Sequence, residues 1–224
     1  MRPIKTIIEI RYKTPSNQFD FVSNIINAIG GTPPPDSKSF LGGGVNVQLK
    51  NKKITVIVEP KRLGINLEDT SLTTDQLKAS VRDLVHRINN HMNWGVMERV
   101  GIRTTWIKEV DDFDSFVAKI KDIFFKPNVL LNESIDVAMP LTMLGVNNSK
   151  INYNFGVMKK EQLLGQYMEY RDNINVPEVF TLVDFDYFNM LNRNYSKSIF
   201  SNFLNEAIDA GNKKAEETFT LLNI

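Results

Sequence analysis

The stretch TTDQLKASVRDLVHRINNHM, residues 73–92, decides the fold class because it predicts a long amphipathic helix. Its apolar residues recur three and four positions apart, which places them on one helix face. Thr73 and Gln76 have the spacing of a capping box at the start of that helix. A second long helix is predicted in the other half of the chain, at residues 196–222 (SKSIFSNFLNEAIDAGNKKAEETFTLL). The same kind of long helix therefore occurs once in each half.

Alternating segments around both helices predict strands. In residues 6–13 (TIIEIRYK), alternate apolar residues share one face, and Glu9, Arg11 and Lys13 share the other. One shorter helix is predicted to begin after a cap at Ser16 or Asn17 and to end near residue 29. Another is predicted to begin after Asp112. The remaining predicted strands are residues 45–50, 54–60, 63–67, 98–110, 134–144, 150–158 and 179–188.

This repeated pattern of strands and a long helix predicts an α+β fold. We expect two related modules, residues 1–110 and 111–224, each an antiparallel sheet with helices packed on one face. The repetition is one of pattern, because residue identity between the halves is negligible. A length of 224 residues also suits one compact domain, so both arrangements stay open.

Composition excludes several classes of function. The chain has no cysteine, which excludes disulfides, thiolate nucleophiles and cysteine-based metal sites. With 27 basic and 26 acidic residues, the overall charge favours neither a nucleic acid nor a membrane. No apolar run has the length of a membrane span, and the first ten residues lack the hydrophobic region of a signal peptide. We expect a cytoplasmic protein with no membrane partner and no cofactor.

Asp184 and Asp186 are the candidate metal ligands. They lie two positions apart on a predicted strand, so both carboxylates point to one face of the sheet. Paired carboxylates can hold a divalent cation for phosphoryl chemistry, with Asp136 or Glu178 as a third ligand. The alternative is that the two side chains belong to the solvated face of a sheet.

A charged stripe on the strand at residues 6–13 is the candidate ligand-binding surface. Glu59, Lys61, Arg99 and Arg103 would extend this stripe across neighbouring strands, where basic side chains could bind phosphate. The alternative is a set of cross-strand ion pairs on an exposed face. The predicted ligand-binding residues are Arg11, Lys13, Lys61, Arg62 and Arg103.

Basic residues also cluster around the hairpin predicted at residues 45–60. Single-stranded RNA is bound by a charged groove with stacking aromatic side chains, and tandem ferredoxin-like modules are used in this way by CRISPR repeat-processing proteins. Such a role requires a basic face across both modules. The basic residues of this cluster are Lys50, Lys52, Lys53, Lys61 and Arg62.

Four segments carry a resemblance to a known family. They are IIEIRY (7–12), RVGIRTTWI (99–107), TLVDFDYF (181–188) and AEETFTLL (215–222). In these segments the chain resembles a family of sporadically distributed bacterial proteins without assigned function. The resemblance implies two α+β halves and a patchy occurrence, which suits a role associated with mobile elements or defence. It implies no catalytic residue.

The function favoured by the sequence is a non-enzymatic interaction protein that acts through protein–protein contacts, with either a protein partner or a second copy in a homo-oligomer. The grounds are a well-formed core pattern and the lack of a convergent reactive set of residues. An RNA-binding or RNA-processing protein is the first alternative. A metal-dependent phosphoryl enzyme that uses Asp184 and Asp186 is the second.

Overall fold

The computed structural model describes residues 3–13, 29, 39–40, 44–49, 54–68, 72–92, 94–125, 136–166 and 176–224. Ile29, at the end of the first predicted short helix, is helical and buried, and the rest of that helix lies outside the described residues. The lysines at positions 50, 52 and 53, which belong to the predicted RNA-binding cluster, also lie outside them.

The secondary structure follows the predicted segments closely. Three differences are a longer last strand, which continues to Asn194, and two elements where none was predicted, a strand at Ser39–Phe40 and a short helix at Lys160–Gln166. In chain order the elements are β1 (Lys5–Tyr12), β2 (Ser39–Phe40), β3 (Gly44–Leu49), β4 (Ile54–Glu59), β5 (Arg62–Glu68), α1 (Thr74–Met92), β6 (Val96–Glu109), α2 (Phe113–Phe124), β7 (Ala138–Leu144), β8 (Lys150–Lys159), α3 (Lys160–Gln166), β9 (Val179–Asn194) and α4 (Lys197–Leu221).

The strands of the described residues form one sheet of nine, in the order β2-β3-β4-β5-β1-β6-β9-β8-β7. Each of the eight neighbouring pairs in this part of the chain is antiparallel. The α+β class is therefore confirmed. Strand β6 joins the two halves of the chain, because it pairs with β1 on one side and with β9 on the other, where Thr104 lies opposite Phe185.

The duplication into two modules is not confirmed by the topology. In the first half, β1 lies between β5 and β6, so its strands are out of chain order. In the second half, β7, β8 and β9 lie side by side in chain order. The similar hydrophobic patterns of the halves therefore correspond to different strand arrangements.

The helices α1, α2 and α4 cover one face of the sheet, which we call the helix-covered face. Their apolar residues pack with the inward residues of the strands in one large core that includes Tyr12, Trp106 and Phe185. The helices α1 and α4 run antiparallel, because Lys78 pairs with Asp209 at 2.5 Å and Arg82 with Asn205 at 3.3 Å. No helix in the described residues is long and apolar enough to cross a membrane.

Caps at the helix starts agree with the sequence. The Thr73 N–H donates to Oε1 of Gln76 at 2.9 Å, and the Gln76 N–H donates to Oγ1 of Thr73 at 3.3 Å. This is the predicted capping box of α1. At the start of α2, the Ser115 N–H donates to Oδ2 of Asp112 at 2.8 Å, and this bond lowers the pKa of Asp112.

Gly211 allows α4 to approach the sheet closely. A Cβ atom at this position would lie 2.7 Å from Cη2 of Trp106, 3.0 Å from Oγ1 of Thr104 and 3.1 Å from Cδ1 of Phe185. Real Cβ atoms essentially never come within 3.0 Å of another heavy atom, so the contact with Trp106 would force a shift. Glycine is therefore required at position 211, where α4 packs against the indole ring of Trp106.

The prediction that helices pack on one face needs one correction, because α3 lies on the opposite face. Leu163 of α3 packs there with Val176, Phe180 and Leu182 in a second, small core. Phe180 and Leu182 share the face of Asp184 because they are two and four positions before it on β9. Apolar residues at this end of the face provide the surface that α3 covers.

Candidate functional site

The face of the sheet opposite α1, α2 and α4, which we call the open face, is the first candidate site. Strand alternation brings Arg11, Arg62, Arg103, Asp184 and Asp186 to this face, as the sequence predicts. The helix-covered core contains their neighbours within the strands, such as Ile10, Leu63, Ile102 and Phe185. The charged side chains from four adjacent strands, β5, β1, β6 and β9, therefore meet on one surface.

Glu9 lies at the centre of the charged stripe. Its carboxylate accepts a hydrogen bond from Nε of Arg11 at 2.9 Å and pairs with Nη1 of Arg62 at 3.6 Å. Arg99 also donates to the same carboxylate. Arg62 makes a further ion pair with Glu59 at 2.8 Å, which continues the stripe to β4. The cross-strand ion pairs that were the alternative interpretation of this stripe are therefore present.

Asp184 is buried and makes hydrogen bonds to two side chains of β6. Arg103 binds it through Nη2 at 2.8 Å and through Nε at 2.9 Å and 3.0 Å. The Thr105 hydroxyl donates to Oδ1 at 3.1 Å. A buried carboxylate is tolerated in a fold when charged and neutral donors form hydrogen bonds with it in this way.

Asp186 has weaker partners than Asp184. Its carboxylate lies 3.8 Å from Nη2 of Arg99 and 3.4 Å from the amide of Asn152. Burial raises the pKa of Asp186, and the positive charge of Arg99 offsets only part of that rise. The two carboxylates share a face but differ in how well their charges are stabilised.

The predicted metal site has no third ligand among the described residues. These residues contain no group of three histidine, aspartate or glutamate side chains that could hold a metal ion. Glu178, one proposed third ligand, pairs with Lys160 at 2.9 Å. Asp136, the other, accepts a hydrogen bond from the Val137 N–H at 2.7 Å. Metal binding by Asp184 and Asp186 stays a prediction.

The charges of the open face are mixed. The remaining predicted ligand-binding residues, Lys13 and Lys61, lie near the end of β1, where the Lys13 N–H donates to the Val96 carbonyl and the Tyr12 N–H donates to the Lys61 carbonyl. The predicted phosphate and RNA sites would therefore have to compete with internal ion pairs. The paired basic residues are Lys5, Arg11, Arg62, Arg99 and Arg103, and the paired acidic residues are Glu9, Glu59, Glu68, Asp184 and Asp186.

A cavity of about 200 Å³ lies on the open face beside the ion pair of Arg103 and Asp184. Asn154, Gln162 and Asp136 contribute further polar groups to its lining. These side chains could hydrogen-bond a small polar molecule. Arg103 and Asp184 neutralise each other's charge in their ion pair. A ligand in the cavity would therefore be held mainly by hydrogen bonds.

Strand β7 is the second candidate site, because it lies at the edge of the sheet and pairs only with β8 in the described residues. Its residues are exposed or half-buried. Leu141 is 42% exposed, Leu144 is 84% exposed, and Val146, just beyond the strand, is 63% exposed. The sequence of β7, AMPLTML, contains no charged residue. Edge strands usually carry charges that prevent pairing with another strand.

Among the described residues, no strand pairs with the outward backbone groups of β7. The Gly145 N–H donates to the Ser149 carbonyl at 2.7 Å, so this position bonds towards β8. Antiparallel ladders alternate, and Met139, Leu141 and Met143 must also bond towards β8. The outward N–H and carbonyl groups then belong to Ala138, Pro140, Thr142 and Leu144. Pro140 stands at an outward position, where its missing N–H costs the sheet no hydrogen bond.

The sequence alone did not reveal that β7 is an edge strand. The available signal is Pro140, since proline inside a strand favours an edge position. The partners of the carboxylates, Thr105 and Asn152, were also missed. Their roles depend on cross-strand register, for which these residues carry no local signal.

Comparisons with known proteins give distant structural likenesses. No protein-family model and no curated protein matches the chain. A solved structure described as a rolling circle replication initiator protein from Geobacillus stearothermophilus is similar over 91% of this chain and 78% of its own, with 11% sequence identity and a TM-score of 0.36. A likeness at this level does not bear on function.

Proposed function

We propose that this chain is a non-enzymatic interaction protein that acts through protein–protein contacts at the edge strand β7. The observation that carries the proposal is an exposed, uncharged edge whose outward backbone groups pair with no strand in the described part of the chain. An extended segment can add to such an edge through main-chain hydrogen bonds, and apolar side chains then provide additional contacts.

The exposed side chains next to the edge support this choice. Leu141, Leu144 and Val146 lie within six positions of one another and are all substantially exposed. Leu141 and Leu144 lie three positions apart and so point to opposite faces of β7, which gives the edge exposed apolar side chains on both sides. Clustered exposed apolar side chains are typical of an interaction site, whereas single exposed ones are common on any protein. On the open face, by contrast, acidic and basic side chains bond to one another, so its charges are already compensated.

The biological setting is also a proposal. A role associated with mobile elements or defence follows from the resemblance of the four segments to a sporadically distributed family. An origin by duplication of an α+β module follows from the two similar helix and strand patterns. Neither setting changes the predicted interaction surface.

Site-specific photo-crosslinking in the cells that produce the protein tests the interaction. A photo-reactive amino acid at Leu144 should give a discrete crosslinked product, because this side chain is 84% exposed beside the edge. The matched control is the same amino acid at Met190, which is 65% exposed on β9. The proposal is wrong if Leu144 gives no product, or only the products that Met190 gives.

A further inference from the structure

We propose that the partner at β7 is a second copy of this chain, bound by antiparallel pairing of the two β7 strands about a twofold axis at Leu141. This inference rests on the proposed function, since it names the partner of the same edge. Twofold dimers are the commonest protein oligomers, and their interfaces must be self-complementary. Strand β7 meets that requirement in sequence, charge and hydrogen bonding.

The sequence of β7 is nearly palindromic about Leu141. In AMPLTML, antiparallel self-pairing places Leu141 opposite Leu141 of the second copy and Met139 opposite Met143. Pro140 then faces Thr142, and Ala138 faces Leu144. Each cross-strand pair thus joins residues that pack together, and a large residue faces a small one at the two ends.

The absence of charge in β7 favours a second copy over a charged partner. Self-pairing brings symmetry-related residues close together, and like charges at such positions would repel. The strand Ala138–Leu144 has none, although 24% of the whole chain is charged. A charged partner would find no ionic contact along this strand.

The outward backbone groups also match in this register. Ala138 lies opposite Leu144 and Pro140 opposite Thr142, so outward positions meet outward positions. The Thr142 N–H of each copy can donate to the Pro140 carbonyl of the other. Ala138 and Leu144 can exchange both of their hydrogen bonds. Because proline lacks an N–H but keeps its carbonyl, the Thr142 N–H of each copy still has an acceptor.

Pairing would extend the core of each subunit. Met139 and Met143 already pack against the large core on the helix-covered face. Leu141 shares their side of the strand, because it lies two positions from each. Pairing would bury its exposed part against Leu141 of the second copy. An interface of one strand from each copy is small, so we expect a dimer that dissociates in the micromolar range.

Sedimentation velocity of the full chain over a range of micromolar concentrations tests the dimer. The wild type should shift from monomer to dimer as concentration rises. Leu141→Lys should lose the dimer because it places two lysines opposite each other, and Thr142→Pro should lose it because it removes the outward N–H. Met190→Lys, an equally drastic change at an exposed site on β9, should dimerise as the wild type does.

Circular dichroism first confirms that each variant is folded, and either edge variant alone suffices if the other does not fold. A wild type that stays monomeric, or edge variants that dimerise normally, would overturn the inference. A monomeric wild type that still crosslinks at Leu144 to a different protein would leave the proposed function standing. A monomeric wild type without that crosslink would remove both.

Discussion

Arg103 binds Asp184 diagonally across two strands, although Asp186 is the residue directly opposite it. The register of β6 and β9 pairs Arg103 with Asp186 and Thr105 with Asp184. The guanidinium nonetheless reaches Asp184 at 2.8 Å, and Asp186 lies 3.8 Å from Arg99. Burial raises the pKa of Asp186, and the charge of Arg99 opposes that rise more than the charge of Arg103 does. This shift of partners makes Asp184 the better satisfied carboxylate, and two predictions follow from the difference.

Loss of the Arg103 guanidinium should destabilise the fold. Arg103→Met keeps the aliphatic part of the side chain and leaves the buried carboxylate of Asp184 with Thr105 as its remaining side-chain donor on β6. Leaving a buried acceptor without its partner costs about 1–3 kcal/mol, and the partial exposure of Arg103 places the expected cost at the lower end. Urea denaturation of the variant and the wild type measures this difference.

Arg11→Met is the matched control for that change. Arg11 is 55% exposed, and Glu9 keeps Arg62 and Arg99 as partners when Arg11 is lost. We expect a change within about 0.5 kcal/mol, as for most exposed ion pairs. Equal losses for Arg11→Met and Arg103→Met would contradict the distinction between the two pairs.

Asp186 should make stability depend on pH in a distinctive direction. Because the pKa of Asp186 is raised in the folded state, its contribution to stability is present below its ordinary pKa of 3.8 and is lost as pH rises through the raised value. Asp186→Asn cannot ionise. Thermal unfolding over a pH series should therefore show the wild type losing stability relative to Asp186→Asn as pH rises through that window.

Asp112→Asn gives the comparison of opposite sign. The hydrogen bond from Ser115 lowers the pKa of Asp112, so its contribution is present above the ordinary pKa of 3.8 and is lost as pH falls through the lowered value. The wild type should gain stability relative to Asp112→Asn as pH rises. If the stability of the wild type relative to each variant changed with pH in the same direction, the environments described for Asp112 and Asp186 would be contradicted.

Gly211→Ala should destabilise the protein although alanine favours helices. The added Cβ would lie 2.7 Å from Trp106, and overpacking of a core costs about 1–3 kcal/mol. The gain in helix propensity is about 1 kcal/mol, so the clash should prevail. Gly64→Ala is the control, because its Cβ would meet Ile57 at 3.5 Å, an ordinary contact. Chemical denaturation should show a loss for Gly211→Ala and none for Gly64→Ala.

The capping box of α1 should contribute to stability in a measurable way. Thr73→Ala removes the hydroxyl that accepts the Gln76 N–H, and loss of such a cap costs about 1 kcal/mol. Thr73→Ser keeps a hydroxyl and should remain close to the wild type. If both variants unfold at the same denaturant concentration, the cap does not stabilise α1.

Local patterns in the sequence predicted most elements but not their arrangement. Alternation identified β1, and the spacing of apolar residues with the Thr73 cap identified α1, because each signal lies within a few positions. Strand order depends on contacts between distant segments, which no local pattern encodes. Helix α3 was missed because KEQLLGQ is short and mostly polar. Its apolar contacts lie mostly on β9, which is distant in the sequence.

The site was predicted in the same partial way. The shared face of Asp184 and Asp186 followed from their spacing, whereas the diagonal ion pair with Arg103 depends on where β6 lies beside β9. The role of Gly211 likewise depends on where α4 meets Trp106, a contact for which the helix itself carries no local signal. Both features require knowledge of which distant residues meet.

The most direct test of the account is hydrogen exchange of the β7 amides, measured by NMR at low and high protein concentration. Met139, Leu141 and Met143 should be protected at both concentrations, because their N–H groups bond to β8. The outward amides of Ala138, Thr142 and Leu144 should exchange fast at low concentration and become protected at high concentration. Fast exchange of these three amides at every concentration would contradict self-pairing at β7.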